Sequence, residues 1–463
     1  MASPRTVYVC GSCGAHFPKW MGRCTTCQAW NTLVEEAPDD GLGLAPGRGA
    51  APGVAGGGAP VQAQTLAEVD GEVAGGHQST GLAEVDRVLG GGLLPGAVVL
   101  LGGDPGIGKS TLVLQLLHHI ATAGRRVLYV TGEESAAQIR SRAERLGLND
   151  SPVQLLAEVT LERMAPEIER TTPHLLVVDS IQTVRSETVE SAAGSVSQVR
   201  ACAARLIHLA KTRDTAVLLI GHVTKEGALA GPRTLEHMVD VVLYLEGDGV
   251  RAQRILRSVK NRFGTVNEIG LFRMTAGGLV DVDNPSALFL QERAAGAPGT
   301  VVFAGLEGTR PLLIEVQALV GDSSTAYPTR TAAGMDGTRV ALLQAVIEKH
   351  LGDVLTGLDI YLNIVGGLRL SEPALDAAVV AAMLSSFRKR PIAPNTAVFG
   401  EIGLTGELRG VSFTTERLTE AARQGFRRVV MPRLPKGETV TTPKGLSVVP
   451  VADIAALAEA LWE

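Results

Sequence analysis

The segment Gly102-Gly103-Asp104-Pro105-Gly106-Ile107-Gly108-Lys109-Ser110-Thr111 constrains the fold more than any other stretch of the chain. It follows an apolar run, Val98-Val99-Leu100-Leu101, that has the character of a strand. It opens a second run, Leu112 to Ile120, with the character of a helix. G-x4-G-K-[ST] between a strand and a helix is the pattern of a loop that cradles phosphate. Glycines let successive backbone N–H groups turn inward on an anion, and the helix N-terminus adds a favourable dipole. The expected nucleotide contacts are Gly103, Asp104, Pro105, Gly106, Ile107, Gly108, Lys109, Ser110 and Thr111. Lys109 is expected to reach the β- and γ-phosphates of ATP, and the Ser110 hydroxyl to hold Mg²⁺. A glycine turn before an ordinary helix is the plain alternative, and the filled motif in its correct context speaks against it.

Two more apolar runs end in acids. His174-Leu175-Leu176-Val177-Val178-Asp179-Ser180 is continuous in the way of a strand covered on both faces, and its C-terminal end is where such sheets bind ligands. Asp179 is therefore the expected partner of Mg²⁺. Arg126 to Glu134 has the same form; Glu133 is expected to polarise the water that attacks the γ-phosphate, and Glu134 to cap the next helix near Ser135. A third run, Val217-Leu218-Leu219-Ile220, precedes Gly221-His222-Val223-Thr224. His222 is a candidate γ-phosphate sensor, or equally a structural histidine. Alternation of such runs with helical segments from about 65 to 285 marks a parallel α/β sheet.

Four of the five cysteines lie in the first 27 residues, as Cys10-x2-Cys13 and Cys24-x2-Cys27. Each pair puts two thiolates on one tight turn, and two such turns complete a tetrahedron around Zn²⁺ with no position left open for catalysis. A redox dithiol is the rival for one pair, but two pairs in a segment poor in core residues favour zinc, which then supplies the folding energy. Phe17, Trp20 and Trp30 are expected to pack on these turns, with base stacking as the other possibility; Cys202 is expected to be a small buried apolar residue. Residues 37–64 are almost all Ala, Gly and Pro and are expected to form a flexible tether. A net charge of −5 argues against coating nucleic acid through bulk charge but leaves room for local basic loops. No run is long and apolar enough to span a membrane, and no basic-then-apolar leader opens the chain, so a cytoplasmic location is expected.

Two stretches, 182–200 with Arg185 and Arg200, and 224–236 with Lys225 and Arg233, are expected to be mobile loops at the mouth of the sheet, functional or merely solvated. An Asp248-Gly249 hairpin turn precedes Lys260-Asn261-Arg262-Phe263-Gly264. After Asp283-Asn284-Pro285 a second α/β region begins, with a helix over 340–351, a strand over 358–365, a helix over 374–388, then a strand and hairpin.

The ordered set of four-cysteine pair, GGDPGIGKST, YVTGEES at 129–135, LLVVDS at 175–180, GHVTKEG at 221–227 and KNRFG at 260–264 resembles the bacterial RadA (Sms) family of DNA repair proteins, relatives of the RecA recombinase. The resemblance covers nearly the whole chain. It implies an α/β fold with a zinc finger (1–36), a linker (37–64), a RecA-like P-loop ATPase domain (65–285) and a Lon-protease-like domain (286–463). It further implies a DNA-dependent ATPase of recombinational repair that forms a ring, a hexamer, around single-stranded and branched DNA and works beside a RecA-type recombinase. Lys260 and Arg262 would then be cationic fingers directed at a neighbouring subunit's nucleotide or at DNA. The two loops fall where RecA-like proteins bind DNA.

Val398 to Gly410 and Ile364-Val365-Gly366-Gly367 are similar to the proteolytic domain of Lon proteases. Lon chemistry needs a serine in a P-S-A-G turn and an activating lysine. Here the turn reads Ser371-Glu372-Pro373-Ala374-Leu375-Asp376, and no lysine lies between Lys389 and Lys436. Proteolysis is therefore not expected. A RecA/KaiC-like switch acting on a protein rather than DNA is the remaining alternative.

Overall fold

The computed structural model describes residues 7–10, 16–17, 19–25, 28, 30, 33–36, 65, 76–221, 234–247, 252–266, 268–291, 293, 296–324, 327–435 and 437–462. The tether, Cys13, Cys27, His222, Lys225, Arg233 and the Asp248-Gly249 turn lie outside them. The chain divides into two compact units: Met1–Glu246 with Arg254–Gly264 and Met274–Val280, and the remainder, chiefly Asp281–Glu463. Among the described residues, no helix is long and apolar enough to cross a membrane.

The N-terminal module is a small antiparallel sheet of β1 (Val7–Cys10), β2 (His16–Phe17) and β3 (Leu33–Glu36), in the order β2-β1-β3. Its core is Cys10, Cys24 and Leu33, with Tyr8, Phe17 and Met21 packed against them. Among the described residues this core is small, and a bound metal is one way a module of this kind gains its folding energy.

The nucleotide-binding unit follows. Its elements are α1 (Ala83–Leu89), β4 (Val98–Gly103), α2 (Lys109–Thr122), β5 (Val127–Thr131), α3 (Ala136–Arg145), β6 (Gln154–Ala157), α4 (Leu161–Thr171), β7 (Leu175–Asp179), α5 (Val196–Arg213), β8 (Ala216–Ile220), β9 (Val241–Glu246) and β10 (Gln253–Asn261). The strands run in the order β10-β9-β4-β8-β7-β5-β6, parallel throughout except for β10. Every residue of β4, β5, β7 and β8 is buried, as strands sandwiched between helices must be. On one face, Val98, Leu100, Val130, Val178 and Leu219 pack with Met164, Ile168, Val199, Cys202 and Leu206. Cys202 is fully buried, and that burial pushes its thiol up to about 11. Parallel strands all end at the same edge, so the turns after β4, β5 and β7 converge there.

The expected loop 182–200 is shorter than its composition suggests. Ser195 caps α5 by accepting from the Gln198 amide, so residues 196–200, Arg200 included, are the first turn of a helix. What precedes it is a bonded loop. The Gln198 side chain donates to the carbonyls of Ser186, Val189 and Ser191 and accepts from the Ser186 amide. Glu162 accepts from the Ser186 hydroxyl, the Glu187 amide and Arg205. Arg185, exposed, forms an isolated parallel bridge with Thr160.

β11 (Ile269–Thr275) and β12 (Gly278–Asp281) follow β10 in the chain. The second unit then adds α6 (Pro285–Leu290), β13 (Thr300–Glu307), β14 (Arg310–Asp322), β15 (Arg330–Ala333), α7 (Gly337–Leu351), β16 (Leu358–Ile364), α8 (Asp376–Phe387), β17 (Thr396–Val398), β18 (Glu401–Ile402), β19 (Leu408–Arg409), α9 (Thr414–Arg423), β20 (Arg428–Pro432), β21 (Ser447–Val451) and α10 (Ile454–Ala460). Seven of its strands form a mixed sheet in the order β15-β16-β14-β13-β17-β20-β21. The β13–β14 hairpin at its centre pairs from Thr300↔Gln317 to Glu307↔Arg310. Residues Asp376 to Ser385 of α8 are all buried, so this helix, apolar on every side, is enclosed by sheet and neighbouring helices. The expected helix over 374–388 begins with a 3-10 turn, Pro373–Leu375, and α8 proper starts at Asp376.

Where a Lon-type nucleophile would sit, Ala374 is buried and its carbonyl accepts from the Gly400 amide. Beside that turn, the buried Arg417 pairs with Glu372, donates to the carbonyls of Ala304 and Ser412, and lies over the Phe399 ring. The turn Pro373-Ala374-Leu375-Asp376 itself holds no serine, the nucleophile that Lon chemistry needs.

Candidate nucleotide site

The loop after β4 needs glycine for two different reasons. Gly103 has φ 149° and Gly108 has φ 115°, both in the region that side-chain-bearing residues avoid. A Cβ on Gly103 would also meet the Leu245 carbonyl oxygen at 2.6 Å. Gly108 is the N-cap of α2, and its carbonyl takes the Leu112 amide at 2.9 Å, the first bond of the helix. Asp104, Pro105 and Gly106 are exposed at the crest, whereas Ile107 is buried beneath it. The Ile107 carbonyl is held at 3.0 Å by Nε of Arg254, a buried arginine on β10.

Lys109 is buried, with its ammonium folded back onto the carbonyls of Gly103 (2.8 Å) and Asp104 (3.0 Å). Burial lowers its pKa; Asp179, Glu133 and Asp104 act in the opposite sense. An ammonium in this position has carbonyl partners it can exchange for phosphate oxygens. The Ser110 hydroxyl donates to Asp179 Oδ2 at 2.9 Å, across from α2 to the end of β7. The same oxygen accepts from the Tyr129 hydroxyl at 2.6 Å. Tyr129, on β5, is buried, and its pKa is raised by that burial and then by Asp179. Serine hydroxyl and carboxylate, both hard oxygen donors, are the set a Mg²⁺ ion takes in preference to an all-protein cage. The residues fit that ion.

Glu133 stands one residue beyond the Gly132 that follows β5, and its carboxylate accepts a very short hydrogen bond from the Ser180 hydroxyl. The Asp179–Ser180 peptide is cis. Thus Lys109, Ser110, Glu133 and Asp179, read separately along the sequence, share one edge of the sheet. Glu134 does not cap α3. Ser135 and Gln138 form a reciprocal capping box there, and the Glu134 carboxylate pairs with Arg142.

Lys260 and Arg262 lie elsewhere. At the end of β10, Lys260 Nζ donates at 2.8 Å to the carbonyls of both Glu236 and Val239. Arg262 Nη1 pairs with Asp240 Oδ1 at 3.1 Å. Asp240, buried, also accepts from Lys211 at 2.7 Å and from the Val98 amide at 3.0 Å. Asn261 accepts from the Phe263 amide and donates to the Val88 carbonyl, and Gly264 runs close against Gly90. Val98 is the first residue of β4, so this cluster sits at the opposite edge of the sheet from the phosphate loop.

Tyr129, Arg254 and Asp240 were not singled out by the sequence. Tyr129 lies two positions before Thr131, which registers with Asp179, so strand adjacency would have put its ring on the Asp179 side. Asp240 is an acid opening an apolar run, Val241-Val242-Leu243, and that incongruity is a usable signal.

A parallel sheet with a glycine-rich loop and lysine after one strand and a hydroxyl-bonded acid after another defines a P-loop ATPase. Family models agree: an AAA domain matches residues 63–228, a rubredoxin metal binding domain residues 8–35, and the Lon protease (S16) C-terminal proteolytic domain residues 351–461. The chain is 47% identical over 458 residues to the DNA repair protein RadA of Bacillus subtilis, covering 98% of each. It is 49% identical over 472 residues to that of Pseudomonas aeruginosa, covering 100% of each, and 45% identical over 454 residues to that of Halalkalibacterium halodurans, covering 98% of each. The chain belongs to the RadA family of DNA repair proteins, and it is an ATP-hydrolysing enzyme.

Proposed function

We propose that this protein is a DNA-dependent ATPase of recombinational repair, acting as a hexameric ring on single-stranded DNA to extend strand exchange and branch migration beside a RecA-type recombinase. The observation that carries the reading is the identity of 45–49% over essentially the full chain to proteins named for DNA repair. The domain plan follows the same resemblance: a zinc finger at 1–36, a linker at 37–64, the ATPase at 65–285 and a non-proteolytic Lon-like scaffold at 286–463.

In the nucleotide site, the stretch from Gly103 to Thr111 binds the phosphates through its backbone N–H groups, Pro105 excepted since it has none, and Lys109 neutralises the β- and γ-groups. Ser110 and Asp179 would hold Mg²⁺, which when bound would offset the negative charge of the phosphates. Glu133 orients the attacking water, held in place by Ser180. In the N-terminal module, Cys10, Cys13, Cys24 and Cys27 hold Zn²⁺; the described pair, Cys10 and Cys24, are both buried in its core.

β4 has six residues rising about 3.3 Å each, so its two ends lie roughly 16 Å apart. Lys260 and Arg262, at the Val98 end, cannot span that length to their own phosphate loop. That leaves them to serve a nucleotide bound by a neighbouring copy, as fingers supplied in trans, or to meet DNA.

The test is steady-state ATP hydrolysis with and without single-stranded DNA at low and moderate salt. Stimulation that fades as salt rises is the expected outcome, because phosphate contacts release counterions. Turnover indifferent to DNA would move the assignment to a protein partner.

A further inference from the structure

Phe17 packs into the core of the N-terminal module, but Trp20 and Trp30 do not: they are 54% and 69% exposed. Large aromatics left in water are costly, and a pair of them on so small a module marks a contact surface. The two rings border one notch. A Cβ placed on Gly22 would lie 3.8 Å from Trp20 Cη2 and 4.0 Å from Trp30 Cζ3, so glycine leaves the space between them open. The guanidinium of Arg23 lies over the Trp30 ring, 5.4 Å from its centroid.

The backbone ties this arrangement to the second cysteine pair. Arg23 and Trp30 form an antiparallel bridge, and between them the Gln28 amide closes on the Cys24 carbonyl at 2.8 Å. Arg23 Nε donates to the Gln28 carbonyl at 3.0 Å, which fixes the cation beside its ring. From Lys19 to Trp30 the sequence holds two cations and no acid. Aromatic faces with cations interleaved suit a ligand that offers flat π-surfaces joined by anionic phosphates.

We propose that Trp20, Trp30 and Arg23 form a platform on which unpaired bases of single-stranded nucleic acid stack, with Lys19 and Arg23 meeting the flanking phosphates. The inference rests on the DNA reading given above and locates one contact within it. Stacking accepts any base, so the platform has no sequence preference.

The experiment uses the full-length protein carrying Trp462→Phe, which leaves Trp20 and Trp30 as the remaining tryptophans. Oligo(dT) is titrated against intrinsic fluorescence, beside an abasic oligomer of equal length. We expect quenching by oligo(dT) and little by the abasic strand. In the full-length protein, Trp20→Ala or Trp30→Ala should weaken oligo(dT) binding about ten-fold, and phenylalanine at either position should restore most of it. Zinc content measured on each variant identifies any that has failed to fold, in which case the phenylalanine variants carry the comparison. Oligo(dT) binding that is unchanged in both alanine variants, with no quenching, overturns the platform while leaving the DNA reading intact. No binding of either oligomer by the unaltered protein defeats the DNA reading and this inference with it. Alanine variants that bind oligo(dT) normally but lose cooperation with a recombinase would assign the rings to a protein contact and likewise overturn the proposal.

Discussion

Two hydroxyls converge on one carboxylate oxygen of Asp179, and they do different things. Ser110 sits at the start of α2 and, in the function proposed above, would share a metal with Asp179, whereas Tyr129 is buried behind that carboxylate and would act only through it. Tyr129→Phe should therefore keep the fold and the affinity for ATP while loosening the carboxylate. A several-fold rise in the Mg²⁺ concentration needed for half-maximal hydrolysis is the expected readout, and an unchanged Mg²⁺ titration would remove Tyr129 from the site. Lys109→Ala acts on the phosphates directly and should lower turnover by about 10²–10³, the usual effect of removing one preorganised donor. Because burial works against the charge on Lys109, the same change should not lower the melting temperature. A destabilised variant with proportionate activity would contradict that account. Lys109, Ser110 and Asp179 were legible in the sequence because a phosphate loop and an acid ending an apolar strand are local patterns. Tyr129 and Arg254 were not, since each meets its partner only through strand order, which no local pattern reports.

At the scale of elements, the stretch before α5 shows how composition misleads. Its serines and glycines suggest a free loop, yet Gln198 and Glu162 bind it from two helices. Glu162 lies in the first turn of α4, where its charge is also favoured by the helix dipole. Burial opposes ionisation there, but the Ser186 hydroxyl, the Glu187 amide and Arg205 outweigh it and hold the carboxyl at about 2, below its ordinary 4.5. A carboxyl depressed in the folded state contributes stability that is present above 4.5 and lost as the pH falls toward about 2. Amide exchange over residues 186–195 should accordingly lose protection across that window. Glu162→Gln should show the loosened loop already at neutral pH and lack this component of the pH dependence. Equal pH profiles for the two proteins would refute the assignment. The β13–β14 hairpin went unread for a related reason: its strands are buried on both faces, so they lack the alternation that distinguishes a strand from a buried helix.

At the scale of the molecule, the separation between the phosphate loop and Lys260–Arg262 is the fact that most constrains mechanism. The chain holds a complete phosphate loop at one edge of its sheet and a pair of cations at the other, anchored by the carbonyls of Glu236 and Val239 and by Asp240. If the cations act in trans, each active site is built from two copies, and the two halves can be disabled separately. Lys109→Ala protein lacks the loop function but keeps the cations; Arg262→Ala protein keeps the loop and lacks one finger. Each alone should hydrolyse ATP poorly, the second by as much as about 10³–10⁵ if the finger is worth what such groups supply elsewhere. Mixed, they should recover activity, because some interfaces in a mixed ring join an intact loop to an intact finger. Recovery should rise and fall with the mixing ratio and vanish when Lys109→Ala and Arg262→Ala are placed in the same chain and mixed with either single variant's own kind. Full activity of Arg262→Ala and Lys260→Ala proteins on their own would mean that these cations serve no nucleotide. Impaired variants that fail to complement, though both assemble, would place their action within one copy or on DNA, and the roughly 16 Å length of β4 leaves DNA as the nearer target.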